Sequence, residues 1–176
     1  MLLLIHMYIP IILGTARVGR QSEKVANLVL SQVKLKNIDS EIIDVRDYRI
    51  NTTDNTGKSP QAQKLAEKIT KSDAIIIVSP EYNHGYPGEL KMMLDLLYEE
   101  YFGKKVAFFG VSAGGLGGAR VVEQLRLVSI ELHMIPIRDA LYFSNVESIF
   151  DDQGQLQDQS YLPKISFLLE KLTVIN

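Results

Sequence analysis

Ala74-Ile75-Ile76-Ile77-Val78-Ser79 runs directly into Pro80-Glu81-Tyr82-Asn83-His84-Gly85. The first half is apolar and rich in β-branched residues at successive positions, not alternate ones. That is how a strand covered on both faces reads; a strand with one wet face alternates. The second half ends the strand, because proline, asparagine and glycine impose irregular backbone. A doubly covered strand that stops in a rigid polar loop marks the carboxyl edge of an open parallel sheet, where such sheets bind ligands.

Outward from this strand the pattern repeats. Tyr8–Leu13, Glu41–Val45, Val106–Val111 and His133–Ile137 are further short apolar runs. Amphipathic segments separate them. Val25, Leu28, Val29 and Val33 mark the first, and Ala62, Leu65, Ala66 and Ile69 the second. Leu90, Met93, Leu94, Leu97, Tyr98 and Tyr101 form a wide stripe that predicts one helix through Tyr101. Val121, Leu125, Val128 and Leu132 mark the fourth, and Leu162, Ile165, Leu168, Leu169 and Leu172 the fifth. Five alternating units predict an α/β three-layer sandwich with a five-stranded parallel sheet, right-handed crossovers and strand order 2-1-3-4-5.

The 176 residues suit one domain, expected over 1–176, with residues 1–6 as an N-terminal extension and Met7 as an alternative start. The leading Met1–Leu13 stretch lacks a basic n-region and a cleavage site, and His6 and Pro10 interrupt it, so a first strand is expected instead of a signal or membrane segment. The absence of cysteine removes disulfides, thiolate metal sites and thiol nucleophiles, and fits a reducing, cytoplasmic setting. A net charge of −2 favours neither nucleic acid nor an anionic membrane as partner. No His, Asp and Glu cluster has metal-ligand spacing, so no metal is expected.

Three loops follow the strands that carry chemistry. Gly14-Thr15-Ala16-Arg17-Val18-Gly19-Arg20-Gln21-Ser22 opens the first helix. Backbone N–H groups at a helix start attract anions, Thr15, Gln21 and Ser22 add neutral donors, and Arg17 and Arg20 add charge. The P-loop pattern fails here, because Arg20 and Gln21 replace its lysine and hydroxyl, and Ala16 breaks the dinucleotide fingerprint. A phosphate site without a metal remains. Arg46 and Lys58, flanking the long polar loop Asp47–Pro60, are further candidates for cofactor phosphates. Pro80–Gly85, continuing to Tyr86 and Pro87, suits close approach of a flat heterocycle, with His84 at its rim. Gly110-Val111-Ser112-Ala113-Gly114 matches the serine-hydrolase elbow G-x-S-x-G, but no acidic residue and histidine follow in the required order outside the predicted helix and strand. Ser112–Gly118 reads better as a glycine-rich wall.

Gly14-Thr15-x-Arg17 with Ser22, then Pro80-Glu81-Tyr82-Asn83, then Pro87-x-x-Leu90-Lys91-x-x-x-Asp95, resembles the NAD(P)H-dependent FMN reductase family over roughly residues 7–170. The resemblance implies a flavodoxin-like fold, FMN as cofactor, and NADPH or NADH as electron donor to a small acceptor. It places Thr15, Arg17, Gln21 and Ser22 at the flavin phosphate. It places Pro80, Glu81, Tyr82, Asn83 and Gly85 along the ring, and Ser112, Gly114 and Gly115 on its pyrimidine side. Lys91 and Asp95 become packing or interface residues, and no side chain is assigned catalysis. Met92, Leu96, Tyr98 and Tyr101 exceed one buried face and point to a homodimer or homotetramer. The competing reading is a flavodoxin-type electron carrier or redox sensor on the same fold.

Overall fold

The computed structural model describes residues 7–52 and 56–174. The expected extension 1–6 and part of the long loop, 53–55, lie outside the described residues. Among the described residues six strands and five α-helices follow in the order β1 (Ile11–Leu13), α1 (Ser22–Leu35), β2 (Ile42–Asp44), α2 (Pro60–Thr70), β3 (Ala74–Pro80), α3 (Gly88–Leu94), β4 (Lys105–Val111), α4 (Ala119–Glu131), β5 (Ile135–Pro136), β6 (Leu141–Phe143) and α5 (Tyr161–Thr173). All pairings are parallel, and the order β2-β1-β3-β4-β5 is the expected one.

Every residue of β3 is buried, as the unbroken apolar run requires. Alternate side chains serve opposite faces. Ile76 and Val78 join Phe109 under α1 and α5, whereas Ile75 and Ile77 join Phe108 under α2, α3 and α4. The ladder of β1 is shorter than the Tyr8–Leu13 run. Pro10 has no N–H to donate, so regular pairing begins at Ile11, although the Pro10 carbonyl accepts from Ile76 at 3.0 Å.

Two elements depart from expectation. The helix predicted through Tyr101 stops at Leu94. Leu96 and Leu97 tighten onto Met93 and Leu94 through i→i−3 bonds of 3.2 and 3.4 Å. Tyr98 then leaves helical geometry, and a 3₁₀ turn covers Glu99–Tyr101. The break serves burial. Leu96, Leu97 and Tyr101 all reach the core, while Tyr98 turns outward and is 47% exposed.

The second departure is β6, which the strand reading lacked. It lies along the same edge of β4 as β5, further toward the carboxyl end: Lys105 faces Ile135, and Phe109 faces Leu141. The partner offset grows by two residues between these pairs, so the edge carries a bulge. Arg126 of α4 donates to the carbonyls of Ile137 and Arg138, each at 2.7 Å, satisfying groups the bulge removes from the ladder.

Candidate active site

The first loop starts under tight packing. A Cβ on Gly14 would lie 2.9 Å from Leu90 Cδ2 and 3.2 Å from the Val78 carbonyl. Thr15 is fully buried, and its hydroxyl shares a 2.9 Å hydrogen bond with the Tyr82 hydroxyl while accepting from the Arg17 N–H at 3.3 Å. The Arg17 guanidinium sits 4.0 Å from the Tyr82 ring centroid. Loops one and three are therefore joined through Tyr82.

Arg20 lines the cleft described below, but its guanidinium is spent on the protein's own groups. Its buried guanidinium donates to the Thr15 carbonyl and to both carboxylate oxygens of Asp44 at the end of β2. Arg46 adds bonds of 3.0 and 2.6 Å to the same carboxylate. Burial alone raises the Asp44 carboxyl, but the two guanidinium partners outweigh it and hold the group well below the usual carboxylate range. Arg20 and Arg46, read from sequence as phosphate candidates, are thus engaged in fixing the loop. Lys58 is exposed on the long loop.

At the start of α1 the situation reverses. Gln21, the N-cap residue, makes no side-chain capping bond. Its Oε1 and the Ser22 hydroxyl are buried without a partner. Buried polar atoms are normally satisfied, and an amide can present either its oxygen or its nitrogen. Two such atoms at a helix N-terminus make a place for an anion with several acceptor oxygens.

The third loop is a tight hairpin. Tyr82 and Gly85 exchange two backbone bonds of 2.9 Å, and Asn83 and His84 take φ values of 50° and 69°. Two consecutive left-handed residues define a type I′ turn. The loop leans on β4 through the Glu81 N–H, which donates to the Val111 carbonyl at 3.0 Å. The Glu81 carboxylate turns toward Arg120 of α4, which donates from Nε at 2.6 Å and from its backbone N–H at 3.2 Å.

The fourth loop has two functions. Gly118, at φ 85°, would place a Cβ 2.7 Å from the Val111 nitrogen, so it is needed where the loop folds over β4. Gly115 has open space at its Cβ position. The Ser112 hydroxyl accepts from the Gly114 N–H at 2.9 Å, so it shapes the loop and is not poised as a nucleophile. His133, the one histidine after it, forms an exposed ring cluster with Tyr98 and Phe102, and its carbonyl accepts from the Gly103 N–H preceding β4.

A cleft of about 240 Å³ opens between these loops. Arg17, Arg20, Gln21 and Ser22 line one side, Pro80, Glu81 and Tyr82 another, and Ser112 a third. Thr15 supports it through Tyr82. Asn83 and Gly85 form the turn beyond it, and Gly114 and Gly115 stand exposed in the neighbouring loop. Val146 and Glu147 also line the cleft, and sequence reading missed them with β6. Their signal was the apolar run Leu141-Tyr142-Phe143 ahead of Ser144 and Asn145. Arg120 was also missed. Its signal is an arginine in the first turn of a helix, where the dipole disfavours a cation unless an anion faces it. A larger cleft of 1040 Å³ adjoins the segments entering β4 and β5, but Asp95, Glu99, Glu100 and Glu131 line it and make it the wrong sign for a phosphate.

The sequence profile of a family described as NADPH-dependent FMN reductase matches residues 7–148. The chain is 29% identical over 161 residues to a quinone reductase of Pseudomonas putida, covering 86% of each chain. It is 32% identical over 152 residues to an NAD(P)H-dependent FMN reductase of Schizosaccharomyces pombe, covering 80% of this chain and 75% of the relative. In backbone it resembles the flavoenzyme NAD(P)H:(acceptor) oxidoreductase FerB of Paracoccus denitrificans, with a TM-score of 0.79 at 20% identity over 94% and 95% of the two chains.

Proposed function

The chain belongs to the NADPH-dependent FMN reductase family, and from that premise we propose that its cleft binds FMN, with the phosphate against Gly14–Ser22 and the ring against Pro80–Gly85. It is an FMN-dependent oxidoreductase with NAD(P)H as electron donor. The observation that carries the placement is the pair of buried unpartnered atoms, Gln21 Oε1 and Ser22 Oγ, at the start of α1. The Ser22 hydroxyl can donate to a phosphate oxygen, as can the Gln21 amide nitrogen once the amide is turned over, and Arg17, exposed at the rim, adds the charge.

FMN supplies the electron chemistry when bound. This chain binds and orients. Thr15 and the Tyr82 hydroxyl fix the separation of the two loops that face phosphate and ring. Pro80, Tyr82, Asn83 and Gly85 give the ring a preformed edge. Ser112 orders the Gly114 backbone, and Gly115 leaves room for close approach. No side-chain acid or base is assigned to hydride transfer. A small planar acceptor such as a quinone fits an open cleft of this kind, and the resemblance to a quinone reductase supports it.

We further propose a homodimer through the face of α3 and α4. Leu96 and Tyr101 are buried in the core, which removes them from the expected interface. Met92 and Tyr98 remain outside, joined by Leu127 at 71% and Ile130 at 61% exposure. Light scattering checks the state, and a monomer at micromolar concentration overturns it.

The test of function is direct. Purified protein should carry or take up FMN with a shifted visible spectrum, and NADPH or NADH should reduce the bound flavin faster than free FMN. No acceleration with either dinucleotide ends the enzyme reading.

A further inference from the structure

We propose that Arg120 is a positioning residue that holds the ring-side loop in its working shape, acting through Glu81 and His84. This rests on the reading that FMN lies against Pro80–Gly85. Arg120 itself is not among the residues that line the cleft. Its guanidinium donates to Glu81 Oε1 from Nε at 2.6 Å, with Nη2 2.5 Å from the same oxygen, and its backbone N–H donates to Oε2 at 3.2 Å. Its Nη1 lies 2.7 Å from His84 Nε2. A guanidinium only donates, so that ring nitrogen is the acceptor. One turn along α4, Gln124 Nε2 donates to the His84 carbonyl at 2.6 Å.

The consequence is mechanical. Glu81 precedes the hairpin and His84 sits inside it, so α4 grips the turn on both sides. The side chain of Glu81 is only 5% exposed, and a carboxylate buried that deeply needs its charge partner. Without Arg120 it would turn toward water, and Pro80 and Tyr82 would move with it. The left-handed conformations of Asn83 and His84 persist only where surroundings hold them. Two walls of the cleft, the hairpin and the loop entering α4, therefore keep their spacing through one arginine. The effect falls first on the ring, because among the described residues no Arg120 contact reaches Gly14–Ser22 and the phosphate loop is touched only through Tyr82.

The experiment separates these ends. Wild type, Arg120→Ala, Arg120→Lys and Arg17→Ala are titrated with FMN and with riboflavin, which lacks the phosphate. Arg120→Ala should weaken both flavins by the same factor, roughly tenfold, the scale of a charge-assisted bond, and should shift the bound-flavin spectrum. Arg120→Lys should recover part of the loss, since lysine keeps the charge without the fork. Arg17→Ala should weaken FMN alone. In a Glu81→Gln background, Arg120→Ala should add little. In flavin-free protein, amide exchange at Tyr82 and Gly85 should rise in Arg120→Ala while α1 is unchanged. Equal flavin affinity and equal exchange in wild type and Arg120→Ala overturn the proposal and leave FMN binding intact. So does a loss of similar size whether position 81 is Glu or Gln. If Arg120→Ala does not fold, the double variant Glu81→Gln/Arg120→Met carries the same comparison, and wild-type flavin affinity in it overturns the proposal. A wild-type protein that takes up neither flavin overturns both readings.

Discussion

The two loops that face each other across the cleft are each held by an arginine–carboxylate pair, and they use it differently. In the first loop, Arg20 is part of the loop and reaches out to Asp44 on β2. In the third, Glu81 is part of the loop and Arg120 reaches in from α4. The first leaves polar atoms of Gln21 and Ser22 buried and unpartnered beside its anchor. The third ties its hairpin down at Tyr82, Gly85, His84 and Glu81. One loop is braced yet keeps unmet hydrogen-bonding capacity for an anion. The other is a braced platform whose capacity is spent on its own shape. The proposed FMN site, which must seize a charged phosphate and present a flat ring, draws on both kinds.

The largest effect should come from breaking the first brace. Asp44→Asn leaves the buried Arg20 guanidinium with only the half-exposed Glu23, 3.4 Å away, as a charge partner, and should lower unfolding free energy by about 3 kcal/mol in urea denaturation at neutral pH. The pH dependence has a definite sign. The Asp44 carboxyl is held below its ordinary value in the folded chain, so its stabilisation is complete above about pH 4, the unfolded aspartate range, and is lost as pH falls below that. Wild type should show this acid slope, and Asp44→Asn should lack that part of it.

Arg17→Ala sharpens the comparison from the ligand side. It should weaken FMN by about 1–3 kcal/mol in a fluorescence-quenching titration, with riboflavin unchanged. Loss of both flavins equally would move Arg17 from the phosphate to the ring, consistent with its place over Tyr82. Asn83→Ala probes the platform. Asparagine tolerates left-handed backbone better than alanine, so the substitution should cost about 1 kcal/mol in thermal unfolding and leave selectivity between FMN and riboflavin intact. The smallest change is Ser22→Ala. It should weaken FMN by about 1 kcal/mol while leaving flavin-free stability level or slightly higher, because a buried unpartnered hydroxyl is removed. A clear loss of flavin-free stability would show that Ser22 serves the fold instead of the ligand.

Much of this was legible from local pattern. β3 and β4 could be read from their apolar runs, because a strand buried on both faces must be apolar at every position. The carboxyl edge of the sheet, where the proposed site lies, follows from where those runs end. The P-loop near-match fails at Arg20 and Gln21 on residue identity alone. The structure adds that Arg20 serves Asp44, 24 residues away, a pairing no local pattern encodes. The third helix was overrun because its stripe continues through Tyr101, and only packing against α2 and the sheet decides that the chain turns at Asp95. β6 was missed because three residues make a weak periodic signal, and the bulge before it exists only relative to β4 and Arg126.

The alternation of strands and helices, the parallel sheet and the loops at its carboxyl edge are carried by the sequence itself, because burial on both faces and turn chemistry are written residue by residue. Tertiary structure alone decided which charges serve the fold and which face a ligand. Arg17, Arg20, Arg46 and Arg120 are alike in sequence, and a guanidinium takes its role from the carboxylate, ring or open cleft that the folded chain brings within a few ångströms.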